Sequence, residues 1–270
     1  MVLTRALLGG VALIAVVGLC FLPGPWHAPL ANLYEDISYS LHPSAERAYA
    51  IGVRHFNGQN PRTYNIHRAA AYFDRAVRLD PSLLYIHHEI ARIHFLHGDF
   101  ADAMAEINTQ IAEHGDATPN SYYVRALIEG YMGEYASSAE DYEHFLKFYP
   151  HDWAGINDYA WVLLKAGRAR DAEVATTEGL KYFPNNPWLL NSRAIALNEL
   201  GRPKEAAVQI EQAWVAVQEV GRQEWLHSYP GNDPSVAGQG LAAFRLAVAA
   251  NMHTIDLALA TSTVQLKATQ

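Results

Sequence analysis

The sequence predicts an all-α solenoid, a file of helix–turn–helix units stacked one on the next. Three observations carry that reading. Gly98, Gly133, Gly167 and Gly201 stand 35, 34 and 34 residues apart, and self-similarity at such a period is the signature of a repeat architecture. Five residues after each glycine comes a small residue: Ala103, Ser138, Ala172 and Ala206. Prolines fall near the unit ends at Pro81, Pro150 and Pro184, with Gly115 where an intervening proline would stand.

The chain begins with an uncharged apolar run over residues 6–22. At ~1.5 Å per residue this reaches the short limit for crossing a hydrocarbon core of ~30 Å. Arg5 precedes the run and Glu35 and Asp36 follow it, which places the N-terminus in the cytoplasm and the repeats outside it. Residues 1–23 therefore read as a signal anchor, an uncleaved transmembrane helix. A cleaved signal peptide and a buried solenoid helix are the competing readings. Cleavage motifs are poor, and Cys20 follows Leu19 rather than the small residue that lipoprotein processing requires. Pro23 and Pro25 end the helix, and Trp26 suits the membrane interface. Residues 24–43 read as a tether, with a short helix around Leu33-Tyr34-Glu35-Asp36-Ile37.

Five repeats follow over residues 44–219, at about 44–81, 82–118, 119–152, 153–186 and 187–219. In each, glycine closes the first helix with a left-handed cap that other residues resist. The small residue lets the antiparallel pair approach closely, and proline, which has no N–H, stops the second helix. Ala91, Ala126, Ala160 and Ala194 each stand seven residues before the turn glycine, and Phe73 and Ala76 precede Pro81 at matching spacing. The first repeat has a longer turn through Gly58-Gln59-Asn60-Pro61. Ser138 and Gly115 replace the usual alanine and proline, and Thr176 and Gly179 thin the second helix of the fourth repeat.

These markers strongly resemble the tetratricopeptide repeat, and the resemblance covers roughly two thirds of the chain. It implies a right-handed superhelix whose first helices line a concave, partner-binding groove. Carried over position by position, that groove takes Tyr85, His88, Arg92 and Phe95 from the second repeat, and Asn120, Tyr123, Leu127 and Tyr131 from the third. The fourth gives Asn157, Trp161, Leu164 and Lys165, and the fifth Trp188, Asn191, Ile195, Asn198 and Glu199. The partner-binding set expected from this is His88, Arg92, Tyr123, Tyr131, Asn157, Trp161, Asn191 and Asn198. Asn157 and Asn191 share a repeat position, and an amide that both donates and accepts suits the backbone of an extended peptide. Tyr123, Tyr131 and Trp161 offer rigid apolar area of the kind that dominates binding energy when buried. The alternative for the aromatics is packing between helices.

Residues 220–270 read as a loop and a C-terminal capping helix. Ser228-Tyr229-Pro230-Gly231-Asn232-Asp233-Pro234 is rich in turn formers. Leu241, Phe244, Val248, Met252, Ile255 and Leu259 then form one apolar stripe at helical spacing. A solenoid needs such a cap over its last repeat; the alternative is a seam for self-association.

Composition narrows the function. The 270 residues carry a net charge of −8 and no basic stripe, which argues against a nucleic-acid surface. The single cysteine rules out an intrachain disulfide. His87, His88, His94 and His97 lie on one predicted helix and raise a metal-dependent alternative, but no His-Glu-x-x-His motif is present. No nucleophile elbow, phosphate loop or dinucleotide fingerprint appears, so neither catalysis nor a cofactor is expected. The sequence thus predicts a membrane-tethered scaffold that binds a protein or peptide and serves the assembly of an envelope complex. Self-association through the C-terminal helix is the second reading.

Overall fold

A computed structural model of the chain describes residues 27–228 and 231–268. The expected anchor over 1–23 lies outside the described residues, as do Tyr229 and Pro230 of the expected loop. Among the described residues there are thirteen α-helices, two short 3₁₀ segments and no strand, and no helix is long and apolar enough to cross a membrane.

Helix α1 (His27–Leu41) precedes five antiparallel pairs. These are α2 (Ala45–Phe56) with α3 (Ile66–Leu79), α4 (Ile86–His97) with α5 (Phe100–His114), and α6 (Asn120–Met132) with α7 (Tyr135–Phe148). Helices α8 (Trp153–Lys165) with α9 (Ala169–Tyr182) and α10 (Pro187–Glu199) with α11 (Pro203–Glu219) complete the file. Then come α12 (Arg222–Ser228), a 3₁₀ turn at Pro234–Val236 and α13 (Ala237–Ala268).

The local chemistry explains the boundaries. The side chains of Ser44, Asn65 and Asp152 each accept a hydrogen bond from the backbone amide three residues on, which caps α2, α3 and α8. Asn186 accepts from the amides of Trp188 and Leu189, with Pro187 in the first turn of α10. The four periodic glycines have φ of 81°, 87°, 73° and 71°, the left-handed region. Each is followed by the same closing bond, from the amides of Asp99, Glu134, Arg168 and Arg202 back to a carbonyl five residues earlier, at 2.8–3.0 Å.

The small residues are where the helices touch. Ala91, Ala103, Ala126, Ala160, Ala172, Ala194 and Ala206 are fully buried. Ser138 keeps the close approach because its hydroxyl donates to the Ala126 carbonyl at 2.6 Å, so the replacement of alanine leaves no orphaned oxygen. Gly179 has a packing reason too: a methyl there would press on Ile156 and Leu189 at 3.1 Å.

One segment differs from expectation. The expected tether holds a fifteen-residue helix, α1, docked on the first repeat. Its Glu35 contacts Arg54 and lies 2.7 Å from His55 Nε2, and its Asp36 accepts from Arg68 at 2.7 Å and from Tyr72 Oη at 2.6 Å. Ion pairing, which periodicity does not reveal, holds this helix. The turn-rich stretch expected from Ser228 to Pro234 lies between α12, which ends at Ser228, and the 3₁₀ turn, which begins at Pro234. Beyond it, α13 packs on α10 and α11, with Leu241, Val248 and Ile255 buried and Phe244 and Met252 half-buried. This is the placement expected of a cap.

Candidate partner-binding face

The first helices of the last four repeats, α4, α6, α8 and α10, stand side by side, and α13 continues the row beyond α10. Their facing side chains form a polar ladder. Tyr123 Oη donates to Asp158 Oδ2 at 2.6 Å, Ser192 Oγ donates to Asn157 Oδ1 at 2.9 Å, and Asn251 Nδ2 donates to Asn191 Oδ1 at 2.9 Å. Asn157 also donates to Asp158 Oδ1 at 3.2 Å. The two asparagines at equivalent positions therefore bind the neighbouring helix of the row through their carbonyl oxygens. Asn198 sits near the end of α10 with a buried Oδ1 that has no hydrogen-bond partner.

Burial gives this ladder unusual protonation. The Asp158 carboxyl is pushed up to about 6 by burial, against the hydrogen bonds from Tyr123 and Asn157 that favour the anion. Nearby on α6, Glu129 is raised to about 7, first by burial and then by the charge of Asp141. The Asp141 carboxylate itself receives Arg125 at 2.5 Å.

The expected aromatics divide. Tyr123 turns inward, packing edge-on against Tyr142 at 5.5 Å and beside Phe145 at 5.2 Å. Tyr131, in contrast, is 61% exposed. Its ring meets Phe95 edge-on at 5.1 Å on one side and Trp161 at 5.8 Å on the other. Tyr135 stands perpendicular to Trp161 at 6.3 Å. Phe95, Tyr131 and Trp161 thus make an aromatic strip across α4, α6 and α8.

The second repeat also divides. His88 is buried, with Nδ1 3.2 Å from Ser121 Oγ and Tyr85 edge-on to its ring at 5.3 Å. Burial, aided by the Arg92 charge, pulls its pKa down to about 3, so it stays neutral at ordinary pH. Tyr85 has a φ of 68°, the left-handed region that a tyrosine rarely adopts. Arg92 pairs with Glu89 at 2.7 Å and lies over the Phe56 ring at 4.7 Å.

The four histidines of the metal alternative do not converge. His87 Nδ1 meets Glu106 at 2.6 Å, His88 points towards Ser121, and His97 stacks near His67 at 6.4 Å. Among the described residues no three His, Cys, Asp or Glu side chains are grouped to hold a metal ion.

Sequence reasoning did not single out Asp158, Ser192, Asn251 or Tyr135. The first two carried a signal: Tyr123 and Asp158, like Asn157 and Ser192, are 35 residues apart, the offset between neighbouring first helices. Asn251 lies beyond the repeats and has no such marker.

The tetratricopeptide-repeat family model matches residues 62–121 and 157–220. No curated protein matches the chain in sequence. Among solved structures, a tetratricopeptide repeat protein from Parabacteroides merdae is similar with a TM-score of 0.57 at 13% identity, covering 85% of this chain and 92% of its own. YrrB, described as a TPR protein with an unusual peptide-binding site, gives 0.56 at 10% identity over 68% of this chain and 93% of its own. MamA gives 0.54 at 14% identity over 66% and 96%. At these identities the likeness is one of fold. The family model covers 124 of the 270 residues, and the solved structures share the solenoid fold.

Proposed function

We propose that this protein is a scaffold that binds a protein or peptide on the face of α4, α6 and α8, and that residues 1–23 tether it to a membrane with the repeats outside the cytoplasm. The observation that carries the binding reading is the exposed ring of Tyr131, seated between the half-buried rings of Phe95 and Trp161. An exposed tyrosine held between two other rings loses little freedom when a partner covers it, so its apolar area goes largely into affinity. The polar ladder behind it fixes the spacing of the helices that carry these rings. The description of YrrB as having a peptide-binding site gives this fold a precedent for such a ligand. The tether rests on the uncharged run over 6–22 with Arg5 before it, and an envelope complex is the client such a position serves.

The test is crosslinking in intact cells with the full chain, a form lacking residues 1–23, and a Tyr131→Ala/Trp161→Ala double variant. A defined partner set should be recovered with the full chain. It should fall at least about tenfold with the double variant, as expected for loss of two hot-spot aromatics, while helicity is unchanged. Equal capture by the double variant removes the strip from the binding surface, and equal capture without residues 1–23 removes the tether.

A second reading is self-association through α13, which leaves Leu246 72% and Leu257 57% exposed. A monomer in sedimentation at high concentration ends that reading.

A further inference from the structure

The segment joining α12 to α13 does not stay at the C-terminal end of the solenoid. Gly231 is buried against the first and second repeats, 167 residues in sequence from the tyrosine that holds it. Tyr64 Oη donates to the Gly231 carbonyl at 2.9 Å. A methyl on Gly231 would come within 2.5 Å of Arg92 Nη2 and 3.5 Å of the Phe56 ring. On the other side, a methyl on Gly58 would collide with the Asn232 carbonyl oxygen. Two glycines, one from each end of the molecule, therefore let two backbones meet. Gly231 has a φ of 95°, so the residue seated there must be one that adopts the left-handed region without a side chain.

The receiving surface is built for this. The long turn of the first repeat brings Gly58 and Tyr64 beside the end of α2, where Phe56 lies under Arg92. The Tyr64 hydroxyl is raised to about 12, by burial first and then by the Asp233 carboxylate, so it remains a donor at all ordinary pH. Asn232, whose carbonyl lies against Gly58, and Asp233 are otherwise exposed. Arg222 Nη2 donates to the Pro234 carbonyl at 2.7 Å and the Asp233 side chain accepts from the Ser235 amide at 2.8 Å, so the segment carries its own turn. What the surface recognises is thus a turn: one carbonyl, one left-handed glycine, and no side chain at that position.

We propose that Phe56, Gly58, Tyr64 and Arg92 form a docking site for a glycine-bearing turn, that Gly231 and Asn232 fill it in cis, and that a partner peptide reaches this end of the face by displacing them. The inference rests on the peptide-binding reading above. An internal occupant competes at an effective concentration of ~mM, so it screens out weak ligands and admits those that bind the rest of the face as well.

The test uses the full chain and a fluorescein-labelled peptide of residues 228–236 in an anisotropy titration. Gly231→Val should unseat the segment and bind the peptide at least tenfold tighter than the wild type, and Tyr64→Phe added to Gly231→Val should reverse most of that gain. Amide hydrogen exchange over residues 57–65 reports whether the segment has left. If it stays seated in Gly231→Val, deletion of residues 229–234 is the variant that empties the site, and the same comparison decides. An emptied site that binds the peptide no better than the wild type overturns the proposal and leaves the contact as a strap joining the two ends of the solenoid. This outcome is independent of the Tyr131/Trp161 crosslinking result, so failure of either reading is recognisable without the other.

Discussion

At the start of the solenoid α1 turns its charges inward, and at the finish α13 turns its apolar stripe inward. Glu35, 7% exposed, meets Arg54, His55 and Arg68, while Asp36 meets Arg68 and Tyr72. Meanwhile Leu33, Tyr34, Ile37 and Leu41 of the same helix are left exposed. On α13 the order is the usual one, with Val248 and Ile255 fully buried beside Ile210, Ala213 and Val217 of α11. Phe244 stacks parallel to Trp188 at 5.0 Å, and the Trp153 ring lies 4.8 Å from that of Trp188. Both helices cover an end repeat, yet their attachments differ in kind. Apolar burial is non-directional and indifferent to moderate salt. A buried ion pair must first offset the cost of leaving water, and it does so only while every partner is in place. The attachment of α13 thus rests on buried area, and that of α1 depends on each charged partner being present.

The largest effect should come from breaking the apolar end. Ile255→Ala empties a fully buried position and should cost about 4 kcal/mol, near the upper part of the range for core truncations. In urea unfolding followed by hydrogen exchange, α11 and α13 should open first, and 0.5 M NaCl should not restore them. Unfolding that begins at α1 in this variant would erase the distinction between the ends.

Arg68→Ala attacks the other end and should cost about 3 kcal/mol, because Glu35 is left buried with fewer partners. Arg68 also donates to the Asn32 carbonyl at 3.0 Å, so α1 loses a backbone anchor as well. Limited proteolysis should cut between α1 and α2 while α13 stays protected. If α1 remains as protected as in the wild type, the charge network contributes little and Tyr39, edge-on to Tyr72 at 5.4 Å, carries the docking instead.

The contrast also explains what was legible in the sequence. The repeat core was readable because each marker acts locally: a glycine at φ near 80°, an alanine where two helices touch, an asparagine or aspartate before a helix. The α13 stripe was readable because its apolar spacing matches the helix it forms. The docking of α1 was not, since Glu35 and Tyr39 are buried while Leu33, Tyr34, Ile37 and Leu41 stay exposed, so its apolar residues do not mark the buried face. On the candidate face, the aromatic positions were found but not which of them turn in. Tyr123 and Tyr131 are both groove positions by spacing, and the first turns inward onto the Asp158 carboxylate at 2.6 Å and the rings of Tyr142 and Phe145. The Gly231 contact spans most of the chain, and no local spacing encodes it.

Acid separates the interior from both caps, with a smaller effect. His88 is buried between α4 and α6, facing Ser121 and Tyr85, with Arg92 as the nearby charge and Glu89 beside it in sequence. Its folded pKa of about 3 lies below the ordinary histidine value, so the unfolded chain takes up a proton that the folded one refuses. The contribution of the neutral ring is intact above about pH 6.5 and is lost as pH falls towards the folded value, by about 2 kcal/mol at pH 5. The raised carboxyls oppose this: Asp158 and Glu129 hold protons in the fold that the unfolded chain releases above about pH 4, so their share weakens as pH rises through 6 to 7. His88→Gln keeps a donor near Ser121 and removes the titration. The variant should therefore lose less stability than the wild type between pH 7 and pH 5 in urea titrations, with the difference in exchange confined to α4 and α6. Equal acid sensitivity in the two proteins would mean that His88 is protonated without cost, and that the interface between the second and third repeats is wetter than its burial indicates.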